Sequence, residues 1–523
     1  MTVLGFPGAA SIEPAWERRR KAPAFAEGGM VAAAHPLTTM AGVAALEQGG
    51  NAVDAAVAAA LVASVVMPEM CGLGGDLFAI VHAPGANGTK GDMVAVHGSG
   101  IAPRGATIEQ MRAAGDAPGQ MPYQGPLSVG VPGMVDAYFS LLKRFGTRTF
   151  AELAERAITY AENGFPLTHD GARSIADNRS VLERFPSSAA VFFPGGESPR
   201  EGAVLRQSDL GRTLRQIAAG GRDVFYEGDI AKRIAAFMAA NGGAITVDDL
   251  SDHTTEFAPP LETTYRNYTV YETCLPTQGL ILLESLNIAE QTDLRTVDPY
   301  SAEGIHLLAE TKKLAFADRV GYAADPTFVT CPLDTLLSKE WARERAKEID
   351  PNRASAEVPA GIHREGDTTY LCAIDGNGMM VSLIQSVSSA FGSGVVAGDT
   401  GIVLNNRVGR GFSLQERHPN IFAPGKKTMH TLNCYLIADP DGTPILVGGT
   451  PGGDGQPQWN LQVISGLIDA GLDVQAALEA PRWTSWPGTD PSTIDNPFEL
   501  RIEDRFGDAI AQGLADRGHD VHR

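Results

Sequence analysis

The feature that most restricts the architecture is the run from Ala55 to Met67, the longest apolar stretch in the chain. It falls short of the roughly 20 apolar residues that a membrane-spanning helix needs. From Val53 to Val66 the helix is apolar on nearly every face, and Asn51 stands where an N-cap belongs. A helix of this kind has to be buried inside the protein.

The surrounding pattern supplies what covers it. Pro36 to Glu47 reads as a helix stopped by Gly49-Gly50, and Cys71-Gly-Leu-Gly-Gly-Asp76 as a tight turn into a strand from Leu77 to His82. Helical periodicity recurs over 134–144, 150–163, 229–241 and 301–322, with a loop-rich tract at about 164–205. A charged helix beginning at Ser338 ends before Asp350-Pro351, and a polar loop, Asn352 to Asp367, follows. Strands are expected over 369–374, 379–387, 395–404, 432–438 and 444–447, then helices over 460–470 and 474–480. Strands and helices in blocks, with little βαβ alternation, point to an α+β layered fold with antiparallel sheets. Residues 1–30 read as a loosely held arm.

Charge and cysteine usage exclude several roles. The formal net charge is −20, and the one dense basic run near the start is Arg18-Arg19-Arg20-Lys21, which argues against nucleic acid as a partner. The five cysteines are odd in number, far apart and without a CxxC pair, which suits a reducing compartment. The first residues lack the charged-then-apolar order of a secretion signal. A cytoplasmic protein with no membrane partner is expected.

The hairpin at Asp375-Gly-Asn-Gly378 carries the candidate chemistry. Pairing 374 with 379 sets Thr368 opposite Gln385 and Asp367 opposite Ser386, so a second hydroxyl lies beside the Asp367–Thr368 peptide bond. A threonine heading a strand after an exposed polar loop is a place where a chain can cut itself.

Ordered motifs extend this reading. They are Gln48-Gly-Gly-Asn-Ala-Val-Asp-Ala55, Gly72-Leu-Gly-Gly-Asp76, Gly130-Val-Pro-Gly133, Phe316-Ala-Asp-Arg319, Gly366-Asp-Thr-Thr-Tyr370, the stretch Phe391 to Asn406, and Gly449-Thr-Pro-Gly-Gly-Asp-Gly-Gln456. Together, from about Ala32 to about Trp483, they resemble the gamma-glutamyltransferase family of N-terminal nucleophile hydrolases. The resemblance implies a four-layer αββα sandwich. It implies self-cleavage between Asp367 and Thr368 into a large subunit, 31–367 behind the arm, and a small subunit, 368–523. The two subunits of one precursor would stay partners, with room for a dimer of processed heterodimers. Thr368 would be the nucleophile, Ser386 the hydroxyl that orients it, and the N–H groups of Gly452 and Gly453 the oxyanion site. Ser388 sits where transpeptidases usually carry a substrate-holding asparagine. No cofactor is expected.

The sequence also departs from the transpeptidases. The arginine that holds the glutamyl carboxylate is replaced by Ser99, the paired serines by His430-Thr431, and the acidic pair after Asn405-Asn406 by Arg407-Val-Gly-Arg410. Losing a bidentate clamp is not conservative. Residues 401–430 hold Arg407, Arg410, Arg417, Lys426 and Lys427 against Glu416 alone, which favours a small anionic amide as substrate. Arg407, Arg410, His430, Thr431 and Ser388 are the candidate substrate-binding residues. The pattern looks like the amidohydrolase branch of the family, oxamate amidohydrolases included. A γ-glutamyl hydrolase or transpeptidase is the alternative, and an unprocessed ligand-binding relative a third reading.

Other signatures fail. Gly392-x-Gly394-x-x-Ala397 is followed by strand-like sequence and so is no dinucleotide site. The eleven histidines show no metal spacing, His35 and His97 read as structural or exposed, and no G-x-S-x-G elbow exists.

Overall fold

The computed structural model describes residues 21–85, 91–115, 117–355, 368–487 and 497–523. Asp367 and most of the expected polar loop therefore lie outside the described residues, as does most of the basic run at Arg18.

Two antiparallel sheets form the centre. The strands are β1 (Gly29–Ala33), β2 (Asp76–Ala83), β3 (Asp92–Gly98), β4 (Glu256–Ala258), β5 (Leu261–Tyr265), β6 (Tyr268–Glu272), β7 (Thr369–Asp375), β8 (Met380–Ser386), β9 (Cys434–Ala438) and β10 (Pro444–Gly449). The first sheet runs β1-β7-β8-β2-β3-β4 and the second β10-β9-β6-β5. The strand opening at Gly29 takes the last two residues of the expected arm into the first sheet.

Strand alternation sorts residues into layers. Leu77, Ala79 and Val81 join a core with α1 (Pro36–Glu47), α2 (Ala52–Val66), α3 (Met134–Phe145) and α4 (Phe150–Asn163). Phe78 and Ile80, on the opposite face of β2, meet Cys434 and Leu436 of the second sheet. Tyr435 and Ile437 turn outward onto α5 (Gly279–Ala289), α6 (Ala302–Tyr322) and α7 (Gly455–Ile468). The result is helix, sheet, sheet, helix.

Every residue of α2 is buried. Asn51 Oδ1 accepts the N–H groups of Val53 and Asp54, each at 3.0 Å, and Asp54 Oδ2 returns a bond to the Asn51 N–H at 2.9 Å. The Ala52 N–H donates to Asp375 Oδ2 at 3.0 Å, so the hairpin turn helps cap the buried helix.

The hairpin register differs from the expected one by a residue. Ile374 pairs with Met380, and Thr369 with Gln385. The Asp375 N–H donates to Met379 O at 3.1 Å, and Gly378 takes φ +86°. A three-residue loop with glycine in the left-handed region adds one residue to the turn. The ladder continues to Thr368 opposite Ser386, so the two hydroxyls themselves are the cross-strand pair.

Two further expectations are corrected. The tract 164–205 contains short helices His169–Asp177, Arg179–Leu182 and Pro186–Phe192, whose Ile175, Leu182 and Phe192 enter the first core. Residues 395–404 do not form a strand, because left-handed backbone at Gly398 and Gly401 folds them around a single Val396–Val403 bridge. No helix among the described residues is long and apolar enough to cross a membrane.

Candidate active site

The site begins with a row of polar residues across the first sheet. Ser386 pairs with Asp76, and Leu77 with Gly98. One step further along these ladders, Thr368, Ser386, Asp76 and Ser99 stand side by side on four adjacent strands. Their neighbours point the other way: Gln385 Nε2 donates to Ala60 O of α2 at 3.0 Å. The row thus faces the space between the sheets. All four residues are buried.

Thr368 Oγ1 donates to Ser386 Oγ at 3.3 Å, and the Ser388 N–H donates to the same oxygen at 2.7 Å. Ser388 has φ +89°, a strained conformation for serine. Its own Oγ is buried without a hydrogen-bond partner among the described residues.

The glycine turn before β2 exists because backbone must pass close by. A Cβ on Gly75 would lie 2.3 Å from Ser386 O, and one on Gly74 2.2 Å from Val403 O. Asn405 binds three segments together: its Nδ2 donates to Gly74 O at 2.8 Å and Gly130 O at 3.0 Å, and its Oδ1 accepts the Arg407 N–H at 2.9 Å.

Arg407 is buried, and its Nε donates to Asp76 Oδ2 at 3.0 Å. Burial raises the Asp76 carboxyl to about 6 against the pull of Arg407. Arg407 Nη2 is buried without a protein acceptor among the described residues. Arg410 Nη1 reaches Thr431 Oγ1 at 3.3 Å and Ser388 O at 3.4 Å. His430 and His97 both pack edge-on against Phe78, with ring centroids 4.9 and 5.4 Å away. Burial first, then the nearby Arg407, holds His430 well below the usual imidazole range, and burial lowers His97 to about 4. Both rings are therefore neutral at neutral pH. Buried atoms lacking partners among the described residues include Ser99 Oγ, Ser388 Oγ, His97 Nε2, both His430 nitrogens and Arg407 Nη2. Orphaned polar atoms in such a concentration mark a place that water or a ligand completes.

The other cations of 401–430 do not join this group. Lys427 Nζ pairs with Glu256 at 2.6 Å, Lys426 Nζ donates to Pro419 O at 2.6 Å, and Arg417 is exposed. The local positive charge is thus narrower than the sequence implied: Arg407 stands at the polar row already paired with Asp76, and Arg410 beside it meets Thr431 and Ser388. Of the two histidines expected to be structural or exposed, His97 is buried against Phe78, and His35 caps α1 through a 3.1 Å bond from the Leu37 N–H.

Gly452 and Gly453 follow β10, whose end meets the Thr368 strand: a Cβ on Gly449 would lie 2.5 Å from the Tyr370 ring. Both take positive φ, +114° and +55°. Behind them sits a buried group that the sequence reading did not assign. Arg319 Nη1 donates to Gln278 Oε1 and to Asp454 Oδ1, each at 2.6 Å, and Gln278 Nε2 donates to Gly453 O at 2.8 Å and to Thr431 O. Arg319 belongs to a quoted motif, but nothing local in the sequence singles out Gln278.

One cluster among the described residues has metal-ligand composition: His306, Glu310 and His519. Its groups already satisfy one another. His306 contacts His519 and Asp350 O, both at 2.8 Å, and Glu310 takes Lys313 at 2.7 Å and the Ser355 N–H at 3.0 Å. A resident lysine opposes a second cation there.

A family model described as Gamma-glutamyltranspeptidase matches residues 38–523. The chain is 39% identical over 494 residues to the glutathione hydrolase-like YwrD proenzyme of Bacillus subtilis (strain 168), covering 94% of this chain and 91% of the relative. It is 37% identical over 502 residues to the oxamate amidohydrolase proenzyme of Klebsiella pneumoniae, with the same two coverages. The crystal structure of cephalosporin acylase from Bacillus halodurans matches with a TM-score of 0.88 at 36% identity, covering 98% of this chain and 91% of that one.

Proposed function

The chain belongs to the gamma-glutamyltranspeptidase family of enzymes, and from that premise we propose that it is a self-processing N-terminal threonine amidohydrolase acting on a small anionic amide. The observation that carries this reading is the buried contact of Thr368 Oγ1 with Ser386 Oγ at the head of β7. Two relatives named as proenzymes support the processing step.

In this reading Thr368 Oγ attacks the carbonyl carbon of Asp367. The C–N bond breaks as the ester forms, and water then releases Asp367 as a carboxylate. The products are a large subunit, 31–367 behind its N-terminal arm, and a small subunit, 368–523. The freed α-amine, with an ordinary pKa of about 7.7–8.0, accepts the Oγ proton when a substrate amide is attacked. The N–H groups of Gly452 and Gly453 take the oxyanion, the protonated amine returns its proton to the leaving nitrogen, and water resolves the acyl-enzyme. In the uncut chain Ser386 orients the nucleophile by accepting its hydrogen bond, and in the mature enzyme that hydrogen turns to the freed amine. Arg407 Nη2 and Arg410 favour a carboxylate on the substrate, with Ser388, His430 and Thr431 lining the same space. The five cysteines, odd in number and far apart in the sequence, fit a reducing, cytoplasmic setting.

A γ-glutamyl hydrolase is the second reading, favoured by the name of the Bacillus subtilis relative. Ser99 in the polar row, where the transpeptidases carry their carboxylate-binding arginine, weighs against it. The test has two parts. A denaturing gel with N-terminal sequencing of the smaller band should find Thr368 first, and oxamate should be turned over faster than γ-glutamyl-p-nitroanilide. A single uncut, active polypeptide overturns the proposal.

A further inference from the structure

We propose that Gln278 is the positioning residue of the oxyanion site, an inference that rests on reading the amides of Gly452 and Gly453 as that site. Two consecutive glycines in the left-handed region have no side chains to hold them, and glycine is the residue freest to leave a given conformation. Oxyanion donors contribute most when they are already aimed before charge develops. Something has to pin this loop.

Four contacts do so. The Gln456 N–H donates to Gly453 O at a long 3.2 Å, and the other three are shorter. The Gly455 N–H donates to Gly452 O at 2.8 Å. Because the peptide is trans, this aims the Gly453 N–H the opposite way. On the far side of Gly453, Gln278 Nε2 donates to its carbonyl at 2.8 Å. The next residue, Asp454, is held by Arg319 at 2.6 Å. Both peptide planes flanking Gly453 are therefore fixed.

The orientation of the Gln278 amide is itself determined. Arg319 can only donate, so the atom 2.6 Å from Nη1 is the oxygen, and the nitrogen must face the carbonyls. Gln278, Arg319 and Asp454 are all buried, so water does not compete for these bonds. Gln278 Nε2 also bonds Thr431 O, whose side chain meets Arg410. One side chain thereby ties the oxyanion loop to the loop beside the guanidinium. It comes from residues 31–367, whereas the nucleophile and both amides come from 368–523.

Gln278→Glu is the informative variant. The carboxylate keeps an acceptor for Arg319 but has no N–H for Gly453 or Thr431. With oxamate and γ-glutamyl-p-nitroanilide as probes, kcat should fall about ten- to a hundredfold while KM stays within about twofold. The pH–rate profile should not move, because the Thr368 amine is untouched. Gln278→Met, which removes both ends of the amide, should show the same split. Wild-type kcat in either variant, or a loss confined to KM, overturns the role of Gln278. Thr368→Ala separates the two levels. If it stays uncut and inactive while Gln278→Glu is normal, only this inference fails. If it is cut and active, or if the wild type turns over neither probe, the reading beneath it fails as well.

Discussion

Thr368 and Ser386 face each other across adjacent strands with their hydroxyl oxygens 3.3 Å apart, and Ser386 is also the acceptor for the Ser388 N–H. Ser386 therefore dictates where the Thr368 hydrogen points. It also holds the strained turn at Ser388 that follows β8. In the role proposed for Thr368, a nucleophile whose lone pairs are oriented before attack loses less freedom on reaching the transition state.

Thr368→Ala should run as one full-length band and show no amidase activity. Thr368→Ser should still be cut, more slowly, since a hydroxyl remains. Gel mobility over time and sequencing of the small fragment check both.

Ser386→Ala should slow both self-cleavage and turnover by about ten- to a hundredfold, because the nucleophile loses its orienting acceptor. It also leaves the buried Ser388 N–H without its partner, which costs about 1–3 kcal/mol. Single-turnover kinetics and a thermal melt separate the two effects.

Arg407→Gln should destabilise by about 3–5 kcal/mol, since Asp76 is left buried without its cation. Adding Asp76→Asn should recover most of the stability. If Arg407 holds the substrate carboxylate, the double variant regains its melting temperature but not its KM for oxamate. Recovery of both would make the arginine purely structural.

His97 gives a pH signature. Burial lowers its pKa to about 4, below its ordinary value near 6.5, so the unfolded chain binds its proton first as pH falls. Its contribution to stability is present above about pH 6.5 and lost on acidification towards pH 4. Within that window wild type should lose about 1.4 kcal/mol per pH unit relative to His97→Gln, measured by denaturant unfolding at several pH values.

Local pattern was enough for much of the frame. The bounds of α1, the cap at Asn51 and the burial of α2 follow from periodicity and side-chain type, because a helix with no polar face has only the interior to occupy. Thr368 and its neighbouring serine were legible from a hairpin signal. The register was not, because one left-handed glycine at 378 adds a residue that composition does not announce, and that residue decides that Ser386 and not Gln385 faces Thr368.

What only the tertiary structure decided is non-local. Asp76 and Arg407 are 331 positions apart, and Gln278 meets Gly453 across 175. No spacing rule reaches that far, since sheet pairing and layer packing choose those neighbours. The sequence alone pointed to Thr368, Ser386 and the Gly452-Gly453 turn as candidates for the chemistry. The stacking of two sheets determined which partner each charge around it meets and which polar groups line up between the sheets, because burial leaves each polar atom only the partners that packing brings to it.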